Sequence, residues 1–138
     1  MLQTAAHLIE SPKPALFYFS GLVAYVLAQL AWDSIELKFS DLPTALVFLK
    51  ALTILSTGYW ACLPFATLTY RITKKMGVLV GVLVLAIFLA VNKVSHLGSD
   101  GSVLGDALRA VCLISVGGGI VGCLIALHYK FNPEEEKR

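Results

Sequence analysis

Hydrophobic residues are grouped along this chain into four long stretches, each bounded by charged or turn-forming residues. A helix of about 20 mostly apolar residues is long enough to cross the hydrocarbon core of a bilayer. The pattern therefore predicts an all-α membrane protein with four transmembrane helices, at residues 14–32, 43–70, 76–91 and 103–127.

The ends of the first two spans carry recognisable signals. Pro14 suits the first turn of a helix, and Trp32 suits the headgroup level at the far end of the span. Asp41 is the expected N-cap of the second span. That span has 28 residues, about 42 Å of helix, so it either projects from the membrane or bends near Gly58 and Pro64.

The remaining segments are expected to be less regular. The third span has no polar side chain before residue 92 and is expected to face lipid, and residues 92–105 are polar and Gly-rich, which predicts a turn. The charged tail, 128–138, is expected to be mobile. Residues 1–10 are either a short amphipathic surface helix or an unstructured leader, and the first span is expected to be retained rather than cleaved.

Composition supports a membrane location. Of the 138 residues, 57% are hydrophobic and 14% are charged, whereas soluble domains are about half apolar and about one quarter charged. A small soluble fold buries too little of its surface to hide this excess, so the chain is expected to be one integral membrane domain in contact with the lipid bilayer. The formal net charge of +2 is spread thinly, which argues against a nucleic-acid partner.

The distribution of Lys and Arg predicts the orientation. Seven fall on the side of the two termini: Lys13, Arg71, Lys74, Lys75, Lys130, Lys137 and Arg138. Four fall on the other side: Lys38, Lys50, Lys93 and Arg109. Cytoplasmic loops carry the excess of basic residues, so we expect an N-in/C-in helical bundle in a bacterial inner membrane, with both termini cytoplasmic.

A candidate outer polar cluster lies at the ends of the spans on the side with fewer basic residues: Asp33, Glu36, Lys50, Lys93, Asp106 and Arg109. Asp33 and Glu36 are three residues apart and share a helix face, and Asp106 and Arg109 have the spacing of an intrahelical pair. Lys50 is expected to pair with Asp33, Glu36 or Asp106. The cluster is either a functional polar site or a set of interfacial anchors whose charged ends extend to water.

The second span also carries a polar stripe with a spacing of three or four residues: Lys50, Thr53, Thr57, Trp60, Pro64 and Thr67. Such a stripe either lines a water path or forms hydrogen bonds with a neighbouring helix.

Small residues mark candidate packing faces. Gly118, Gly119 and Gly122 lie in the fourth span, and Gly77 and Gly81 form a GxxxG pair in the third. Glycine lets helix backbones approach closely, within one chain or between protomers. The three cysteines all lie in apolar segments and are expected to be small packing residues.

No constellation of residues predicts catalysis. His96 is placed in the outer loop, while His7 and His128 fall on the cytoplasmic side, so the three histidines do not converge. No nucleophile, phosphate-binding or metal-binding motif is present in the sequence. We therefore expect no catalytic site, metal or cofactor, and a protein that is not an enzyme.

Three functions remain open, of which an enzyme or compact transporter is the least expected, because no catalytic groups converge and no acid lies in the middle of a span. The first is a self-associating membrane protein, a homo-oligomer joined through the Gly-rich faces that conducts or senses ions. The second is an accessory, anchor or immunity-type subunit that binds a larger membrane-protein partner. The pattern of spans identifies no family, because many unrelated proteins share it.

Overall fold

The structure, a computed structural model, describes residues 2–11, 13–97 and 103–137. Those residues contain six helices and no strand: α1 (Leu2–Glu10), α2 (Ala15–Lys38), α3 (Thr44–Met76), α4 (Val78–Leu97), α5 (Val103–Phe131) and α6 (Pro133–Glu136).

Helices α2, α3, α4 and α5 are each long and apolar enough to cross a membrane. This confirms the predicted all-α class with four membrane-length helices and indicates an integral membrane protein. With 33 residues, α3 is one uninterrupted helix that contains Pro64. It is about 50 Å long at the usual rise per residue, so it exceeds the apolar core of a bilayer.

The helices extend beyond the apolar stretches. Helix α2 continues past Trp32 to Lys38, and α4 continues past Val91 to Leu97. The predicted turn at 92–105 is therefore wrong for residues 92–97, while residues 98–102 lie outside the described part of the chain and α5 begins at residue 103, where the fourth span was predicted to begin. Because a helix satisfies its backbone hydrogen bonds internally, polar side chains end the apolar stretch without ending the helix.

The tail is helical rather than irregular. Helix α5 continues to Phe131 and α6 follows after one residue. Glu136 of α6 forms an ion pair with Lys74 of α3, and Glu135 lies 2.9 Å from Nε2 of His128. These contacts hold the predicted mobile tail against the body of the protein; Arg138 lies outside the described residues.

Helix α5 lies at the centre of the molecule. It packs against α2, α3 and α4, and α3 also contacts α2 and α4. Within its most apolar window, 44% of α5 is buried inside the chain, against 6% for α4. The expectation that the third span is largely exposed on its surface agrees with this value.

The glycines of α5 allow this central position. A Cβ on Gly118 would lie 2.5 Å from the carbonyl oxygen of Cys62, and one on Gly119 would lie 3.0 Å from Phe88. A Cβ on Gly122 would overlap the carbonyl of Ala66. The Gly-rich faces thus serve contacts between helices of the same chain.

Gly77 has another role than the predicted packing contact. It lies between α3 and α4 with φ of +101°, and nothing lies within 4 Å of the position of a Cβ. Its partner in the GxxxG pair, Gly81, does pack closely, against the side chain of Thr73. Gly77 is therefore a turn residue, because such a backbone conformation favours glycine.

Helix α1 packs on one end of the long helices. Its Ala6 and Ile9 are buried in a cluster with residues of α3 and α5: Ala66, Tyr70, Ile125, Ala126 and Tyr129. Of the two alternatives for residues 1–10, the structure contains the helix. We call this end of the molecule, where α1, α6 and Gly77 lie, the α6 end.

Candidate functional site

A polar cleft of about 290 Å³ lies at the end of the molecule away from the α6 end. It is formed by α2, α4 and α5, and we name it the polar cleft by the residues that line it: Tyr25, Gln29, Asp33, His96, Asp106, Arg109, Ala110 and Leu113. Five of these side chains carry a charge, an imidazole or an amide, although the helices around them are apolar.

Arg109 is the most constrained polar group of the cleft. Its Nη2 donates a hydrogen bond to Oδ1 of Asp106 at 2.7 Å, which is the intrahelical pair that the spacing predicts. Its Nε is buried and has no hydrogen-bond partner among the described residues. A buried donor without a partner costs about 1–3 kcal/mol, so the guanidinium retains the capacity to bind a further acceptor.

Asp33 supplies negative charge to the cleft. It is exposed and forms no ion pair with a described residue, whereas the charge of Asp106 is balanced by Arg109. Among the described carboxylates and cations of the cleft, Asp33, Asp106 and Arg109, the sum is therefore one excess negative charge. Deeper in the cleft, Gln29 donates a hydrogen bond to the hydroxyl of Tyr25 at 3.1 Å.

The predicted outer cluster is divided in the structure. Asp33, Asp106 and Arg109 meet in the polar cleft, but Lys50 forms an ion pair with Glu36 between α2 and α3. Lys93 is exposed and pairs with no described carboxylate. One compact cluster of six charges does not form.

Sequence reasoning missed His96 as part of this site. It was expected in a loop, but α4 continues past it and brings it to the cleft. The local sequence carries no signal for this position, because the polar residues from Asn92 onward are typical of a turn.

The residues of the polar stripe of α3 have different surroundings in the structure. Thr53 and Thr57 donate hydrogen bonds to carbonyls of their own helix, at 2.8 Å each. Trp60 donates from Nε1 to the carbonyl of Phe17 on α2 at 2.9 Å, which is the predicted bond to a neighbouring helix. Thr67 is buried, and its hydroxyl has no hydrogen-bond partner among the described residues.

A polar network at the α6 end was not predicted at all. The Tyr70 hydroxyl donates to Oε1 of Glu10 at 2.6 Å, and Nζ of Lys74 lies 3.8 Å from the same carboxylate. Lys74 also pairs with Glu136. This network joins α1, α3 and α6, and it explains why both terminal segments are packed against the long helices.

Within the described ranges, no group of three or more His, Cys, Asp or Glu side chains is arranged to hold a metal ion. No protein-family model, curated protein or solved structure matches the chain. Its function must therefore be argued from the two ends of the molecule and from its exposed helix faces.

Proposed function

We propose that this chain is a non-enzymatic, self-associating membrane protein whose polar cleft senses or conducts ions. The observation that carries the proposal is the polar cleft, which places the unpaired Asp33 beside Arg109 among apolar helices. Ionisable groups near membrane depth are costly and are usually retained for binding or for an ion pathway.

The proposed orientation is N-in/C-in, in a bacterial inner membrane. Support comes from the α6 end, where Tyr70 contacts Glu10 and Lys74 contacts Glu136, so that the basic residues near both termini and near Gly77 share one end. By the positive-inside rule this end is cytoplasmic, and the polar cleft then opens to the other side.

Self-association is proposed through the outer half of α3. Every buried residue of α3 lies between Gly58 and Thr73. From Thr44 to Thr57 the helix is exposed or half-buried, and it presents large apolar side chains such as Phe48 and Leu55. The Gly-rich faces are used within the chain, so this half of α3 is the surface that we assign to a second copy.

The proposal is tested by cation flux into liposomes that contain the purified full chain. Asp33→Asn removes the unpaired carboxylate, and we expect it to lower potassium flux several-fold. Asp41→Asn is the matched control, since Asp41 is exposed, forms no ion pair with a described residue and is not among the described residues that line the cleft, and it should leave flux close to wild type. Absence of wild-type flux under both a voltage and a pH gradient would exclude conduction.

The sensing form of the proposal is tested by binding. A ligand that binds the folded state raises its melting temperature. We expect potassium or another small cation to raise the melting temperature of the wild type and of Asp41→Asn, but not that of Asp33→Asn. Equal shifts in all three proteins would show that the cleft is not the ion site.

The accessory function is the second candidate, and the same exposed half of α3 favours it. A larger membrane protein could cover that surface in place of a second copy. This alternative predicts that the chain is degraded when it is expressed alone and becomes stable when the partner is present.

A further inference from the structure

A second cleft, of about 280 Å³, lies between α2 and α3 near the α6 end. We name it the basic cleft, after the two cations among the residues that line it: Lys13, Tyr18, Pro64, Thr67, Leu68 and Arg71. It shares no residue with the polar cleft.

The positive charge of the basic cleft is not compensated. Neither Lys13 nor Arg71 forms an ion pair with a described carboxylate. Nζ of Lys13 donates only to Oγ of Ser11, at 3.0 Å, and lies 5.6 Å from the centre of the Phe17 ring. Lys74, in contrast, is held by Glu10 and Glu136. The cleft therefore collects two positive charges that no described carboxylate neutralises.

The cleft also has a buried hydroxyl group, that of Thr67. Thr67 is only 6% exposed, and its Oγ1 has no hydrogen-bond partner among the described residues. Nearby Thr69 and Thr73 behave differently, since they donate to the carbonyls four residues earlier at 2.8 and 2.7 Å. A buried hydroxyl that does not bond to its own helix can bind another acceptor.

The remaining lining of the cleft is apolar. Leu68 is 49% exposed, and with Pro64 it belongs to α3, a helix that is long and apolar enough to cross a membrane. One side of the cleft therefore carries cationic groups and a hydroxyl group, and the other side is apolar. A ligand that matches it carries an anionic oxygen group and a hydrocarbon chain.

We propose that the basic cleft binds the phosphate group of an anionic phospholipid, with the acyl chains along the surface of α2 and α3. Guanidinium and ammonium groups are the usual ligands of phosphate. Basic pockets between membrane helices on the cytoplasmic side bind anionic headgroups. This inference rests on the proposed orientation but not on the proposed activity, because it concerns other residues and needs neither ion flux nor self-association.

Native mass spectrometry of the purified full chain in detergent tests the proposal by counting bound lipids. The added lipid is either phosphatidylglycerol or phosphatidylcholine. We expect phosphatidylglycerol to remain bound to the wild type and phosphatidylcholine to be lost. Removing one basic charge costs about 1 kcal/mol, or about fivefold in affinity, so Lys13→Gln with Arg71→Gln should weaken binding about 30-fold.

The matched control is Lys75→Gln. Lys75 is exposed on α3 near the same end, forms no ion pair with a described residue and does not line the cleft. It should bind phosphatidylglycerol like the wild type. If the double variant does not fold, Lys13→Gln alone tests the proposal, because Lys13 precedes α2 and its replacement leaves the helix unchanged. This single variant should weaken binding about fivefold.

Three outcomes would overturn the proposal. These are equal retention of the two lipids by the wild type, equal binding of phosphatidylglycerol by the wild type and the cleft variants, and an equal loss of binding in Lys75→Gln.

Competition with excess inorganic phosphate distinguishes a lipid headgroup from free phosphate as the ligand of the cleft. We expect it to leave the lipid bound, and displacement of the lipid would show that the cleft takes free phosphate instead.

Discussion

Gly117 and Gly118 are neighbours in the sequence but have opposite surroundings in the structure. A Cβ on Gly118 would lie 2.5 Å from the carbonyl oxygen of Cys62, whereas a Cβ on Gly117 would meet nothing within 4 Å. Successive residues of a helix point about 100° apart, so only one of the two can face α3. The glycines of the fourth span predict that this helix packs closely against its neighbours. They do not predict which neighbour each glycine contacts.

This difference gives a prediction with an internal control. Gly118→Ala should lower the free energy of unfolding by about 1–3 kcal/mol, because the added methyl group overpacks the contact with α3. Gly117→Ala should be neutral or slightly stabilising, since alanine favours a helix more than glycine does. Unfolding in mixed micelles measures both, and equal stability of the two variants would contradict the packing described here.

The polar cleft shows which contacts residue spacing can predict. Asp106 and Arg109 are three apart on one helix, and their hydrogen bond follows from helix geometry alone. His96 and Asp33 reach the same cleft from other helices. Their positions depend on how far α4 continues past Val91 and on how the helices pack, and neither follows from local sequence.

At the scale of elements, α1 is held by a buried apolar face and by one hydrogen bond over a long sequence separation. Ile9 is 2% exposed, and Tyr70 donates to Glu10 at 2.6 Å. The sequence leaves residues 1–10 open between a surface helix and an unstructured leader, because the groups that hold them lie 60 residues away.

Tyr70→Phe tests this attachment. The ring stays in the apolar cluster, but the hydrogen bond to Glu10 is lost, at a cost of about 1 kcal/mol or about a fivefold change in the opening of α1. Amide hydrogen exchange in residues 3–10 should become faster by that factor. Tyr59→Phe is the control, because Tyr59 is exposed and its hydroxyl has no hydrogen-bond partner among the described residues. Unchanged exchange in Tyr70→Phe would contradict the role of this bond.

The junction of α3 and α4 depends on Gly77. Its φ of +101° and ψ of 165° lie in a region that is almost restricted to glycine. Gly77→Ala should therefore destabilise the protein by about 1–3 kcal/mol, although the added methyl group has space around it. Chemical unfolding measures the loss, and a stability equal to that of Gly117→Ala would show that the junction tolerates a side chain.

At the scale of the whole molecule, the two ends differ in their clefts and in the charges that these clefts carry. The α6 end contains the ion pairs of Lys74 and the basic cleft, and the other end contains the polar cleft. The four membrane-length helices were predictable because each apolar stretch is long enough to span a bilayer by itself. Their lateral contacts were not, because the lipid-facing and packed sides of such helices are both apolar.

The proposed orientation predicts the location of the C terminus. A green fluorescent protein fused after residue 138 should be fluorescent, because it folds in the cytoplasm, and alkaline phosphatase at the same position should be inactive. The reverse pattern would place the α6 end outside. It would also remove the argument that the basic cleft faces the cytoplasmic leaflet.

Native mass spectrometry of the full chain, purified gently from its own membrane, tests the central claim most directly. The claim is that copies associate through the outer half of α3 and that the polar cleft of each copy senses or conducts ions. The account predicts a defined homo-oligomer that dissociates when Leu55→Lys places a charge on this exposed apolar surface. A monomer, or a complex with a different membrane protein, would contradict self-association and favour the accessory function.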